Sequence, residues 1–440
     1  MSVSAPTSTN LAGSFTREAF AAHLERVKHL PAWWLDRKRA AYERFISLPM
    51  PKRTDEGWRF SNFGALTLDG FEVGRAVPGA SEASATFAAA SLVFRNNQLA
   101  GRTGQAPHGI IFDTLQNALR QHGDLVKAHL LAQPSKLGSD KFAALHEAFL
   151  EDGAFVYAPK GTALTQPLAV YHHANGAGTA VFPHTLVVAE ENAKVTVADF
   201  YISSQPSALS SQLGDRQLAV GGNDLYAGHG AQLTYVALQD WSRDTLSFQF
   251  NATVARRDAK VVSLNLHAGA RQARHESFSQ LQAPGAHSEM LALTVAQGAQ
   301  EFDQRTLQIH QAPHTSSNLL YKNALLDTAK TIFSGLIVVD PDAQKTDAYQ
   351  SNRNLMLSDE AEANSLPGLE IQANDVRCTH GATSARIDAE QEFYLQARGI
   401  APQQAQELLV FGFFEEVLSK IENEQLHDVL GEIIRQKFKK

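Results

Sequence analysis

Residues 285–300 read Gly285-Ala-His-Ser-Glu-Met-Leu-Ala-Leu-Thr-Val-Ala-Gln-Gly-Ala-Gln300, a strand-like run from Leu291 to Val295 between two corners of one form. Each corner is a small or polar residue, then Ala, then a polar residue. The same corner recurs at Asn192-Ala193-Lys194, Gly230-Ala231-Gln232, Asp258-Ala259-Lys260, Gly285-Ala286-His287, Gly298-Ala299-Gln300, Thr328-Ala329-Lys330 and Asp342-Ala343-Gln344. The alanines lie 38, 28, 27, 13, 30 and 14 residues apart, and all gaps but the first are close to multiples of about 14. A corner repeated at fixed spacing marks a β-solenoid, in which each coil buries its inner face only against its neighbours. Irregular coil lengths also suit a β-sandwich, but hairpin turn pairs are scarce, which disfavours it. The sequence therefore predicts a solenoid.

Working outward, β-rich runs such as Leu186–Ala189, Val195–Phe200, Leu233–Leu238, Val261–Leu266 and Leu336–Val339 fill residues 151–387, the expected core. Residues 1–150 read as a mostly helical N-terminal domain. It begins with a frayed tail over residues 1–10 and two amphipathic helices between Phe15 and Leu48, broken at Pro31. Residues 61–110 are ambiguous. Residues 388–440 read as a C-terminal helical domain, with Asp388 capping a first helix, Gly399 ending it and Pro402 opening the next. That second helix is unusually apolar through Leu408, Leu409, Phe411, Phe413, Phe414, Val417, Leu418 and Ile421. The surplus either covers the open end of the solenoid or docks another protein.

Composition narrows the function. The 440 residues are 44% apolar and 19% charged with a net charge of -7, which disfavours disorder and a nucleic-acid partner. One cysteine excludes an intramolecular disulfide and any thiolate-only metal site within the chain, and suggests a reducing compartment. With no signal peptide and no membrane span in view, the expected location is cytoplasmic. Phosphate-loop, dinucleotide, nucleophile-elbow and zinc-protease motifs are all missing, so an enzyme is not expected. What remains is Leu369–Ala385, which holds the lone Cys378 and, two residues on, His380. On a strand the two side chains share one face, where thiolate and imidazole can ligate iron, copper or zinc, or the His can take the thiol proton. Two ligands cannot complete a metal site. The alternative is a buried structural thiol beside a hydrogen-bonded His. His267, His275, Glu276, His287, Glu289, His310 and His314 fix no common face and read as solvated coil positions. Trp33, Trp34 and Trp58 among basic residues read as helix packing.

Asn352-Arg-Asn-Leu-Met-Leu-Ser-Asp359, Pro367-Gly-Leu-Glu-Ile371 and Asp375-Val-Arg-Cys-Thr-His-Gly-Ala-Thr383 closely resemble the SufB/SufD family of iron-sulfur cluster assembly proteins. The likeness continues through Phe393-Tyr394-Leu395 and Leu408-Leu409 to Phe413, and upstream through Asp140–Phe149 and Asp152-Gly153. SufB-type members are longer and carry further cysteines; the single cysteine here matches the SufD-type branch. The resemblance implies a right-handed parallel β-helix flanked by helical domains, and a non-catalytic scaffold subunit pairing with SufB and with the ABC-type ATPase SufC. It implies that the C-terminal helices dock SufC, which would occupy Leu408, Leu409, Phe411, Phe413, Phe414 and Val417. Cys378 and His380 match the positions where a nascent cluster, or its iron, is thought to be held against SufB, which would supply the missing ligands. ATP-driven closure of two SufC subunits would then expose that pair. The resemblance also links a reduced flavin to the complex, though no motif locates it. A long apolar β-helix edge invites an isologous pairing of two copies when SufB is missing.

Overall fold

A computed structural model describes residues 12–64, 66–76, 86–107, 109–203 and 216–438; the expected frayed tail lies outside the described residues. The core is a β-solenoid. Eight parallel strands, from Ala154–Ala158 to Glu362–Ile371, stack into one sheet, and eight, from Leu168–Ala174 to Arg377–Arg386, into a second. Each coil gives one strand to each sheet. Pairing along both stacks is parallel, for example Gln217–Ala227 on Thr245–Ala255 and Lys260–His267 on His287–Ala296, which rules out the antiparallel sandwich.

The corners explain the stacking. Lys260 N donates to Ala231 O, His287 N to Ala259 O and Ser316 N to Ala286 O, so four of the alanines, beginning at Ala193, form one buried column. The residue before each takes left-handed backbone: Asn192 (φ 57°), Gly230 (65°), Asp258 (53°) and Gly285 (77°). The column continues through Thr315 and Thr346, preceded by His314 (φ 57°) and Lys345 (61°), where no alanine marks it. Ala299 departs from the expectation: it is exposed, and the buried position beside it belongs to Gln300.

Alternation along the strands sends one set of side chains into the bore and the other outward. Early coils fill the bore with Val195, Leu233, Val261 and the corner alanines. Later coils fill it with hydrogen-bonded amides: Gln304 donates to Thr294 Oγ1 (2.8 Å) and Asn323 Oδ1 (3.1 Å), and Asn323 to Asn352 Oδ1 (3.0 Å) and Asn354 Oδ1 (2.8 Å). The His/Glu tract is not solvated: His267, His275 and His310 are buried in the bore, Glu276 and Glu289 are buried on the outer faces beside Ser139 and Lys420, and His314 alone of them is a fully exposed corner residue.

Helices cover the flanks. Arg17–Val27, Ala32–Ser47 and Asp140–Phe149 lie on the outer face of the first sheet, where Phe142 stacks on Phe248 at 3.8 Å. Trp34 and Trp58 are buried there, each beneath a cation. Pro402–Leu418 and Glu424–Gln436 lie on the second sheet, with Val410, Phe414, Val417, Leu426 and Leu430 against Val236, Leu264, Leu266, Leu291 and Leu293. Part of the C-terminal apolar surplus therefore covers a flank, not an end. The first coil is closed by antiparallel strands, Gln98–Gly104 on Ala90–Arg95 and Ile111–Thr114 on Ala154–Ala158. Among the described residues the last coil is bare: Glu362–Ile371 and Arg377–Arg386 each terminate their sheet. No helix among the described residues is long and apolar enough to cross a membrane.

Candidate functional site

The corner column delivers the site. Arg377 N donates to Thr346 O (2.8 Å), which starts the last strand in register and sets Cys378 on Ala348 and His380 on Gln350. Because the inward column through Cys378 runs back by way of Ala348, Ser317 and Ser288 to Val261, both Cys378 and His380 face the bore at its bare mouth, while Arg377 and Thr379 face out. The two residues singled out in the sequence are thus brought onto one face.

Their environments differ. Cys378 is half-buried against Ile337, Val339, Ala343, Ala348 and Ala373. Burial, reinforced by the Asp347 carboxylate, pushes its thiol above the ordinary value, so at neutral pH the sulfur keeps its proton until a cation draws it off. His380 is exposed. Beneath it Gln350 is fully buried, donates to Gly368 O (3.0 Å), and leaves its own Oε1 without a donor. A soft sulfur and an imidazole suit iron, copper or zinc. Among the described residues no group of three or more His, Cys, Asp or Glu side chains could hold a metal ion. Two donors alone do not complete a coordination sphere.

The C-terminal residues do not form one surface. Phe414 and Val417 are buried against this chain's own second sheet, Leu409, Phe411 and Phe413 are partly covered, and Leu408 is 46% exposed. Lys322 Nζ ties this helix down by donating to Phe413 O (2.7 Å) and pairing with Glu416 (2.6 Å). Two larger exposed aromatics, Phe393 at 72% and Tyr394 at 58%, stand on the helix Ala389–Ala397, which buries none of its residues. Sequence reasoning did not single them out as a surface, although nine residues without an apolar stripe were the available signal. Gln350 carried no such signal, since its position under His380 appears only with the coil register.

Fold and geometry together define a parallel β-solenoid whose last coil sets a thiol and an imidazole on one face. A profile for the SufBD protein N-terminal region matches residues 18–170, and one for the SUF system FeS cluster assembly SufBD core domain matches residues 172–413. The iron-sulfur cluster assembly protein SufD of Bacillus subtilis is 30% identical over 93% of this chain and 95% of the relative. SufD of Escherichia coli is 27% identical over 87% of this chain and 88% of the relative, and SufB of Bacillus subtilis 25% over 89% and 86%. The chain belongs to the SufB/SufD family of iron-sulfur cluster assembly proteins.

Proposed function

We propose that this chain is a SufD-type scaffold subunit that pairs with SufB through its bare end, holds the ATPase SufC through its C-terminal helical region, and contributes Cys378 and His380 to a site for nascent cluster or its iron. The observation that carries this reading is that thiol and imidazole share the bore face of the last coil, while among the described residues no third His, Cys, Asp or Glu groups with them. A donor set that stops at two makes sense when a second protein closes it. The iron or cluster is cargo, and SufB supplies the remaining donors. ATP hydrolysis belongs to SufC, in keeping with the missing phosphate loop. Closure of two SufC subunits opens the SufB interface and exposes Cys378 and His380, a ligand-biased two-state change. With Phe414 and Val417 spent on the chain's own sheet, SufC docking falls to Leu408, Leu409 and the uncovered parts of Phe411 and Phe413. Without SufB, the same bare end pairs two copies of this chain. The domain division at 150 and 387, and a cytoplasmic site of action, belong to the same proposal.

The test is anaerobic reconstitution of the complex with SufB and SufC, comparing wild type with Cys378→Ala and His380→Ala by iron content and visible absorption. Loss of cluster from an intact complex is the expected result. Normal cluster in both variants would leave the chain a purely structural adaptor.

A further inference from the structure

Trp58 packs as the sequence suggests, but the basic residues on either side of it do not. Arg53 and Arg59 are exposed, and among the described residues neither has an acidic partner; the Arg59 guanidinium stands over the Phe60 ring at 5.4 Å. Both line an open cleft of about 480 Å³, whose other charged groups are Lys330 and Glu301.

The segment that carries Arg59 is fixed on both sides of it. Arg274 Nη1 donates to Gly57 O (2.8 Å), Ser61 Oγ to Asp303 Oδ2 (2.7 Å), Asn62 N to Glu301 Oε1 (2.9 Å) and Gln272 Nε2 to Asn62 O (2.6 Å). Between these ties Trp58 is buried against Arg274 and donates to Gly138 O (2.9 Å). Residues 57–62 are thereby held on the outer face of the first sheet.

Three cations line the cleft against one carboxylate. Glu301 is already occupied by Asn62 N and by Gln272 Nε2 (3.0 Å), and burial raises its carboxyl above the ordinary value. Lys330 stands 3.2 Å from Glu362, an exposed carboxylate at the start of the strand Glu362–Ile371. The two guanidiniums are left without a counter-charge in a chain whose net charge is -7. An arginine fork matches two oxygens of a phosphate at once. The cleft has the size of small-molecule sites, and a fixed support lowers the ordering cost of binding.

We propose that this cleft binds a phosphate group, free or carried on a small molecule, with Arg53 and Arg59 on its oxygens and Lys330 as the third cation. The experiment is calorimetric titration of the full chain at low ionic strength with inorganic phosphate, pyrophosphate and AMP. Tightest binding of the first points to the free ion, of the second to a diphosphate and of the third to a phosphomonoester. Arg53→Gln and Arg59→Gln are each expected to weaken binding about 10-fold or more, and added chloride to weaken it in the wild type. Both side chains are exposed, so these variants should melt with the wild type; should Arg59→Gln fold poorly, Lys330→Gln carries the same expectation. Glu362→Gln, which releases Lys330, is expected to tighten binding, and unchanged affinity there would strike Lys330 from the site. Arg256→Gln removes an exposed arginine at a distant corner and is expected to change nothing. Equal loss in Arg256→Gln would reduce the site to diffuse surface charge and overturn the proposal. So would undiminished binding in the Arg53→Gln, Arg59→Gln double variant, or the absence of binding for all three probes at millimolar concentration.

Discussion

Asp152, where the N-terminal helices hand over to the solenoid, accepts N–H bonds from Gln116 (3.0 Å) and Gly153 (2.8 Å), yet burial pushes its carboxyl up to about 7. The folded chain therefore holds a proton here that the unfolded chain has lost above about pH 4. The stability this proton confers is fully present below the unfolded value and is lost as pH rises through 7, with a slope of up to about 1.4 kcal/mol per pH unit. Asp152→Asn keeps an acceptor for both N–H groups and cannot ionise. It should match the wild type near pH 4 and exceed it at pH 8 in urea unfolding; parallel curves across that range would refute a buried neutral carboxyl. At the same scale, Cys378 and His380 were legible as a pair because strand alternation needs only their spacing. That they face the bore was not, since inward and outward are decided by the register of the coil beneath.

Among the elements, the corner carries the fold, and Gly285 is its most constrained member. Its φ is 77°, and a Cβ would come within 1.9 Å of Asp258 Oδ1 on the coil below. Left-handed backbone costs an L-residue roughly 1–2 kcal/mol, and the contact adds to that. Gly285→Ala should lower the urea midpoint, and adding Asp258→Ala should recover the contact's share while leaving the conformational share. Full recovery would mean that the backbone angle costs nothing. The corners also show why the repeat was only partly visible. Ala193, Ala231, Ala259 and Ala286 announce the column, but Thr315 and Thr346 occupy it equally well, their hydroxyls 3.2 Å apart. A search on alanine along this column stops three coils short of Cys378. The His/Glu tract misled for a related reason: polar side chains on these strands are buried inside the bore or under helices, so polarity did not report exposure.

Across the whole molecule, the C-terminal helices work as a flank cover with a small outward remainder. Phe414 is fully buried on the second sheet. Phe414→Ala should cost about 3–5 kcal/mol, read as a lower melting temperature of the isolated chain. Leu408→Asp should leave that temperature unchanged and, if the docking reading holds, abolish capture of purified SufC. Unaltered capture would move the docking surface elsewhere, with the exposed Phe393 and Tyr394 the next residues to test. The three-part order of helices, solenoid and helices was readable from periodicity alone. The location of the last helices was not, because an apolar face says that it must be covered and not by what.

The unequal ends give the molecule a polarity. Strands edged with free N–H and C=O groups accept another sheet, and here one end is edged by the two parallel strands of the last coil, the other by the antiparallel strands Gln98–Gly104 and Ile111–Thr114. Two such solenoids meeting bare end to bare end use up both edges at once. If the proposed pairing uses this surface, assembly through it would stop at two molecules, and the fold that exposes a sticky edge would also count how many it can hold.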